Sequence, residues 1–281
     1  MFYKDIPFKV CGSVAVLCDL WTPDTKPEGS GWPLVIFYHG GGWLFGDKSG
    51  WGLIRRWQEG MLAKGIAFAT AGYRHKGYGG QMPGTAADCA DAVRFFRKNA
   101  AEYGIDPERI LLSGHSAGAH LCLLIALTGD KFRDDYSDLE TECKTHGAVS
   151  VSGTANLRFS AYDKPEYHES IYDCVRALLG DRWNDPEALE EVEPIRYVER
   201  EEAPKVHVLM VQPQEDQIVP PAMAVELCEM AAKKGYDIRH LPLEATGHCL
   251  ETPDTSDPSP ATLAADAVVL DFISEILGVE K

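Results

Sequence analysis

An apolar run ending at Ser113 meets Gly114-His115-Ser116-Ala117-Gly118, and a helix-like stretch from Ala117 to about Leu127 begins at once. No other feature of the chain limits its fold so tightly. A buried strand that turns into a helix within one residue leaves no room for side chains two positions either side of the central serine, and glycine supplies that room. The turn pushes the serine hydroxyl out at the end of a sheet. The helix that follows aims its unsatisfied amides at the same place, where negative charge can be held.

The rest of the chain keeps the same rhythm. Residues 5–20 predict two short strands around Gly12. Leu34–Tyr38 and Ile66–Tyr73 predict buried strands on either side of a helix over 51–64. One helix is expected over 83–103, opening near Pro83 and stopping at Gly104, followed by strands at Arg109–Ser113 and Gly147–Ser152. Strand 206–212, helix 220–234, strand 238–243 and helix 261–277 complete the series. Such alternation predicts an α/β fold: a mainly parallel, eight-stranded sheet with helices on both faces. The rhythm breaks over about 154–203, a stretch that is acidic, rich in tyrosine and punctuated by proline. It predicts a small cap or lid inserted into a single domain spanning 1–281. Tyr162, Tyr167, Tyr172 and Trp183 either shape a pocket there or form the small core that holds the insertion down.

A serine nucleophile needs donors for the oxyanion, a base and an orienting acid. His39-Gly40-Gly41-Gly42-Trp43 follows the strand at 34–38, and bare glycine backbone can approach a ligand closely. The amides of Gly41 and Gly42, with that of Ala117, are the candidate oxyanion donors. Among nine histidines, His115 and His120 lie beside the serine in sequence and His240 falls inside a strand. His248 sits in a loop after the last strand, where a side chain can reach back over the sheet. Asp216 follows strand 206–212 and is the candidate acid, with Glu215 as its rival. The order Ser116, Asp216, His248 is that of α/β-hydrolases rather than of the other serine hydrolase folds. Asp47 and Asp88 are expected to brace loops and helix ends, and Cys249 is not expected to act as a thiol nucleophile.

Composition narrows the partners. The 281 residues carry a formal charge of −16, which disfavours nucleic acid and anionic membrane surfaces. The apolar fraction of 45% supports a sizeable core, and no apolar run is long enough for a membrane span. Eight cysteines show no CxxC pair and no zinc-finger spacing, which points to a reduced, cytoplasmic protein without a metal site.

The ordered motifs HGGGW, Gly46-Asp47-Lys48, Tyr73-Arg74, Tyr103-Gly104-Ile105-Asp106-Pro107-Glu108-Arg109-Ile110 and GHSAG resemble the esterase/lipase branch near hormone-sensitive lipase. They are most similar to its bifunctional feruloyl and acetyl-xylan esterase-like subgroup, over roughly residues 13–278. That resemblance implies a serine carboxylesterase with no metal or organic cofactor. Its partner would be a small ester, including acetylated or feruloylated carbohydrates. It maps the nucleophile to Ser116, the acid to Asp216, the base to His248 and the oxyanion amides to Gly41, Gly42 and Ala117. His39, Gly40, Gly114 and Gly118 complete the motifs. His115 stands where many relatives have aspartate, and GHSAGAHL also resembles kynurenine formamidases, which cleave an N-formyl amide. The competing readings are therefore an arylformamidase or small-peptide hydrolase, and a non-catalytic binding protein on the same fold.

Overall fold

The computed structural model describes residues 1–25, 29–49, 52–137, 140–162, 169–251 and 257–279. Tyr167 lies outside the described residues. The strands are β1 (Phe2–Cys11), β2 (Val14–Trp21), β3 (Trp32–Tyr38), β4 (Ala67–Ala71), β5 (Ile105–His115), β6 (Gly147–Val151), β7 (His207–Pro213) and β8 (Asp237–Leu243). The helices are α1 (Gly52–Ala63), α2 (Gly84–Lys98), α3 (Ala100–Tyr103), α4 (Ala117–Thr128), α5 (Glu169–Leu179), α6 (Pro186–Val192), α7 (Pro194–Glu199), α8 (Ala222–Lys234) and α9 (Pro260–Leu277). The strands form one eight-stranded sheet in the order β1-β2-β4-β3-β5-β6-β7-β8. The β1–β2 and β2–β4 pairs are antiparallel, and every pair from β4 to β8 is parallel.

The central strand β3 shows why these segments are apolar throughout. Leu34, Ile36 and Tyr38 join the core that contains residues of α2 and α4, whereas Val35 and Phe37 join the core that contains residues of α1 and α9. A strand covered on both faces has no solvent side to mark with polar residues. The same argument applies to α4, which is buried from Ala117 to Leu127 and accordingly has no polar stripe. Among the described residues, no helix is long and apolar enough to cross a membrane.

Element ends shift by a residue or a few throughout, and two differences have a clear local cause. The helix predicted over 83–103 is interrupted at Asn99, whose φ of −101° and ψ of 19° leave the helical region. Its side-chain Nδ2 donates to the Phe95 carbonyl at 2.8 Å, beside the Asn99 backbone amide that donates to the same carbonyl at 2.9 Å, so Asn99 caps the end of α2. The strand predicted from Arg109 begins instead at Ile105. Pro107 is accommodated because the β3–β5 register shifts between the Trp32–Ile105 and Leu34–Ile110 pairs.

The segment between β6 and β7 holds α5, α6 and α7. Its second half is fastened to the body of the domain. His120 Nε2, from α4, donates to the Val192 carbonyl at 2.7 Å. Buried Glu193 accepts from Leu157 N at 3.2 Å, Arg158 Nε at 3.2 Å and Arg196 Nε at 3.1 Å. The Tyr162 hydroxyl donates to Glu226 of α8 at 2.6 Å, and Tyr172 packs edge-on against Trp183 with ring centres 5.9 Å apart. Asp47 accepts from the amide of Ser49 at 2.8 Å, a loop brace as expected.

Candidate active site

β5 ends at His115 and α4 begins at Ala117, so Ser116 alone makes the turn. Its φ of 54° and ψ of −118° lie where non-glycine residues are held only at a cost of about 1–3 kcal/mol. The Ser116 amide donates to Val151 O at 2.9 Å, which ties the turn to β6. The two motif glycines are required by contact. A Cβ on Gly114 would lie 2.3 Å from Gly118 O, and one on Gly118 would lie 2.1 Å from Tyr38 O.

The structure brings the three predicted residues together. His248 Nε2 is 2.9 Å from Ser116 Oγ, and His248 Nδ1 is 2.9 and 3.0 Å from the two Asp216 oxygens. An ionised carboxylate only accepts, so Nδ1 carries the ring proton and Nε2 presents its lone pair to the serine hydroxyl. Asp216 is fixed in turn by the amides of Ile218 and Val219, both at 2.8 Å, and by Gln212 Nε2 at 3.1 Å. The rival acid, Glu215, accepts instead from the Thr246 amide at 2.7 Å and so braces the loop that carries His248.

The other histidines have different roles. His115 Nε2 donates to the His248 carbonyl at 3.0 Å, and the Ser152 hydroxyl donates to the same carbonyl at 2.8 Å. His240 pairs with Met210 across β7 and β8, the sheet position expected of it. Ser152 and Gln212 are site residues that sequence reasoning missed. Gln212 carried one signal: it is the polar residue that interrupts the apolar run after His207.

The glycine turn runs beside Ser116. A Cβ on Gly40 would come within 3.3 Å of Ser116 Cβ, and Gly42, with φ +60°, faces the Cys174 sulfur of α5. His39 donates from Nδ1 to Gly40 O at 2.7 Å and stacks on Tyr73 at 4.3 Å. The Tyr73 hydroxyl in turn donates to His39 O at 2.8 Å. Ser116 and His248 open into a cavity of about 300 Å³, walled by Gly41, Gly42, Phe45, Ile171, Cys174 and Ile218. That is the small end of the range for ligand pockets, and the walls are largely apolar. Ala117, the first residue of α4, is itself buried, and its amide is among those a helix leaves without an internal partner. Among the described residues, no group of three or more His, Cys, Asp or Glu side chains is arranged to hold a metal ion.

Burial lowers the pKa of His39, His115 and His120 from the ordinary 6.5 to about 4 in each case. The folded chain therefore keeps these rings neutral between pH 6.5 and about 4, while the unfolded chain protonates them. Stability contributed by their neutral forms is present above pH 6.5 and falls as the pH drops across that window. Each ring accounts for about 3 kcal/mol by pH 4. The urea midpoint is expected to be clearly lower at pH 5 than at pH 7, and unchanged midpoints over that range would refute the assignment of three buried neutral rings.

The chain is 25% identical to Esterase LipC of Mycobacterium tuberculosis over 272 residues, 93% of this chain and 62% of LipC. The chain spans only part of its curated relatives, down to 23% of Esterase P of Drosophila melanogaster. Its structure superposes with a TM-score of 0.79 on a truncated carbohydrate esterase from gut microbiota, at 19% identity and covering 99% of this chain and 96% of the other. It superposes with a TM-score of 0.83 on Thermogutta terrifontis esterase 2 phosphonylated by sarin, at 20% identity and with the same coverage. At such identities the likeness establishes the fold, which is the α/β-hydrolase fold. The BD-FAE family model matches residues 18–230, from within β2 to within α8, and the chain belongs to the BD-FAE family.

Proposed function

We propose that the protein is a serine carboxylesterase that hydrolyses small esters with short or aryl acyl groups. One observation carries this reading: the relay from Ser116 Oγ to His248 Nε2 at 2.9 Å, and from His248 Nδ1 to Asp216 at 2.9 Å, opens onto an apolar cavity of about 300 Å³.

In this reading, His248 takes the Ser116 proton as the hydroxyl oxygen attacks the ester carbonyl. The amides of Gly41, Gly42 and Ala117 receive the developing oxyanion. Asp216 orients His248 and stabilises its charged form. The imidazolium then gives the proton to the departing alcohol as the C–O bond breaks and the acyl-enzyme remains. Water, deprotonated by His248, attacks the acyl-enzyme. The acid leaves and the proton returns to Ser116. His39, Gly40, Gly114 and Gly118 shape the two turns and take no part in the proton transfers. The insertion over 154–203 acts as a cap, with α5 as one wall of the cavity.

Membership of the BD-FAE family and the esterase names of the relatives support ester hydrolysis. The carbohydrate esterase among the structural neighbours supports a sugar-linked alcohol as one substrate form. The sarin-phosphonylated esterase supports the same attack on phosphorus here, so a fluorophosphonate probe is expected to label Ser116. Eight free cysteines support a reducing, cytoplasmic setting.

The test is a panel of esters graded by acyl length, including acetylated sugars, assayed beside N-formylkynurenine. The expected result is the highest kcat/KM for acetyl to butyryl esters. A clear preference for the formamide overturns the ester assignment in favour of an arylformamidase. A chain that neither turns over any ester nor reacts with the probe is a binding protein.

A further inference from the structure

Leu44 stands on the walls of two cavities. One is the apolar chamber of about 300 Å³ over Ser116. The other is a groove of about 560 Å³ whose sides include Gln81, Asp173, Arg176 and Trp183. The two differ in chemistry. The chamber is faced by Phe45, Ile171 and Ile218, whereas the groove offers an amide, an ion pair between Arg176 and Asp173 at 2.7 Å, and an indole with the Arg176 guanidinium 4.3 Å from its ring centre. Helix α5 is also common to both. Ile171 and Cys174 look into the chamber, and Asp173, Arg176 and Ala177 look into the groove, as the 100° step of a helix requires.

The backbone that carries Leu44 is held on both sides. Its amide donates to Gly41 O at 3.0 Å, and its carbonyl accepts from the Gly77 amide at 3.1 Å. The neighbouring Trp43 carbonyl accepts from Lys76 N at 2.9 Å. Shortening the side chain therefore removes a wall without moving the loop. One Leu44 methyl, Cδ1, would lie 3.9 Å from a Cβ built on Gly42, which places this wall next to the glycine turn that borders the nucleophile.

We propose that Leu44 is the partition that confines the acyl group to the chamber over Ser116 and so sets the acyl length the enzyme accepts. The inference rests on the esterase reading above. Without the partition, a chain too long for the chamber runs on into the groove. The walls of such pockets discriminate by roughly tenfold or more for each methylene that fits or fails to fit.

The experiment compares p-nitrophenyl acetate, butyrate and octanoate with the wild type, Leu44→Ala and Leu44→Phe. Leu44→Ala is expected to raise the octanoate-to-acetate ratio of kcat/KM by about tenfold or more, mainly through a lower KM for octanoate. Leu44→Phe thickens the wall and is expected to lower the butyrate-to-acetate ratio, and it carries the test if the alanine variant does not fold. Unchanged ratios in folded variants that still hydrolyse acetate overturn the partition and leave the esterase reading standing. A wild type inert on all three esters overturns the esterase reading, and the partition falls with it.

Discussion

Ser116→Ala is expected to lower kcat for p-nitrophenyl acetate by about 10⁵-fold, with little change in KM. The alanine retains the backbone that turns from β5 into α4, and the cavity is unaltered apart from one oxygen. What disappears is the atom 2.9 Å from His248 Nε2, and with it the covalent path. Asp216→Asn should cost about 10⁴-fold, because an amide at that position favours the wrong imidazole tautomer. The amides of Ile218 and Val219 would still hold the Asn oxygen, so geometry alone does not rescue it. On the proposed function the three residues act as one device, so Ser116→Ala/His248→Ala is expected to be no slower than Ser116→Ala. Steady-state kinetics on purified variants decide the matter: a Ser116→Ala protein that keeps a tenth of the wild-type rate removes the proposed nucleophile.

The second large effect is on stability. Lys9 lies inside the protein with its side chain 2% exposed, and its ammonium meets Asp88 at 2.9 Å, Asp91 at 2.7 Å and Asp134 at 2.8 Å. Two guanidinium groups share those acids. Arg74 reaches Asp88 at 2.7 Å and also meets Asp134, and Arg94 reaches Asp91 at 2.6 Å and Asp130 at 2.7 Å. Burial alone would lower the pKa of Lys9, but the charge of Asp88 and the bonds to Asp134 and Asp91 outweigh it and raise the pKa. Lys9→Met keeps the bulk and removes the charge, which leaves three neighbouring carboxylates short of a partner. The expected loss is about 3–5 kcal/mol, seen as a fall in Tm on the order of 10 °C. The exposed pair Lys144 and Glu108, at 2.8 Å, supplies the contrast: Lys144→Met should cost less than about 1 kcal/mol. Equal, small losses in the two variants would show that the buried network contributes nothing special.

The sequence discloses the proposed catalytic geometry more readily than the buried charge network. The grouping of Ser116, Asp216 and His248 is legible because each sits at a fixed place relative to a strand end, and strand ends are marked by apolar runs that stop at glycine or proline. Gly114 and Gly118 announced their turn because only a missing side chain fits there. Lys9 was not legible. In the run from Phe8 to Cys11, strand alternation sends one of Phe8 and Lys9 outward, yet both are buried, and the β1–β2 register shifts between Pro7 and Lys9. A bulge of that kind overrides the period that pattern reading relies on. The break at Asn99 was hidden for a similar reason, since the side-chain bond to Phe95 leaves the apolar spacing around it intact. Ser152 escaped notice because its task is to hold a carbonyl from a distant loop, and nothing in its neighbours' composition announces such a contact.

On the proposed function, the backward bend at position 116 also dates the moment when the serine becomes reactive. Left to itself, a serine relaxes out of a φ of 54°, so the posture persists only while the Val151 carbonyl grips its amide and the bare Gly118 backbone lies close against the Tyr38 carbonyl. Those grips come from strands on either side of β5. A refolding chain whose central strands have not yet docked therefore carries an ordinary, sluggish hydroxyl. With Ser116 as the proposed nucleophile, the time course of its labelling by a fluorophosphonate probe during renaturation is expected to serve as a clock for completion of the middle of the sheet.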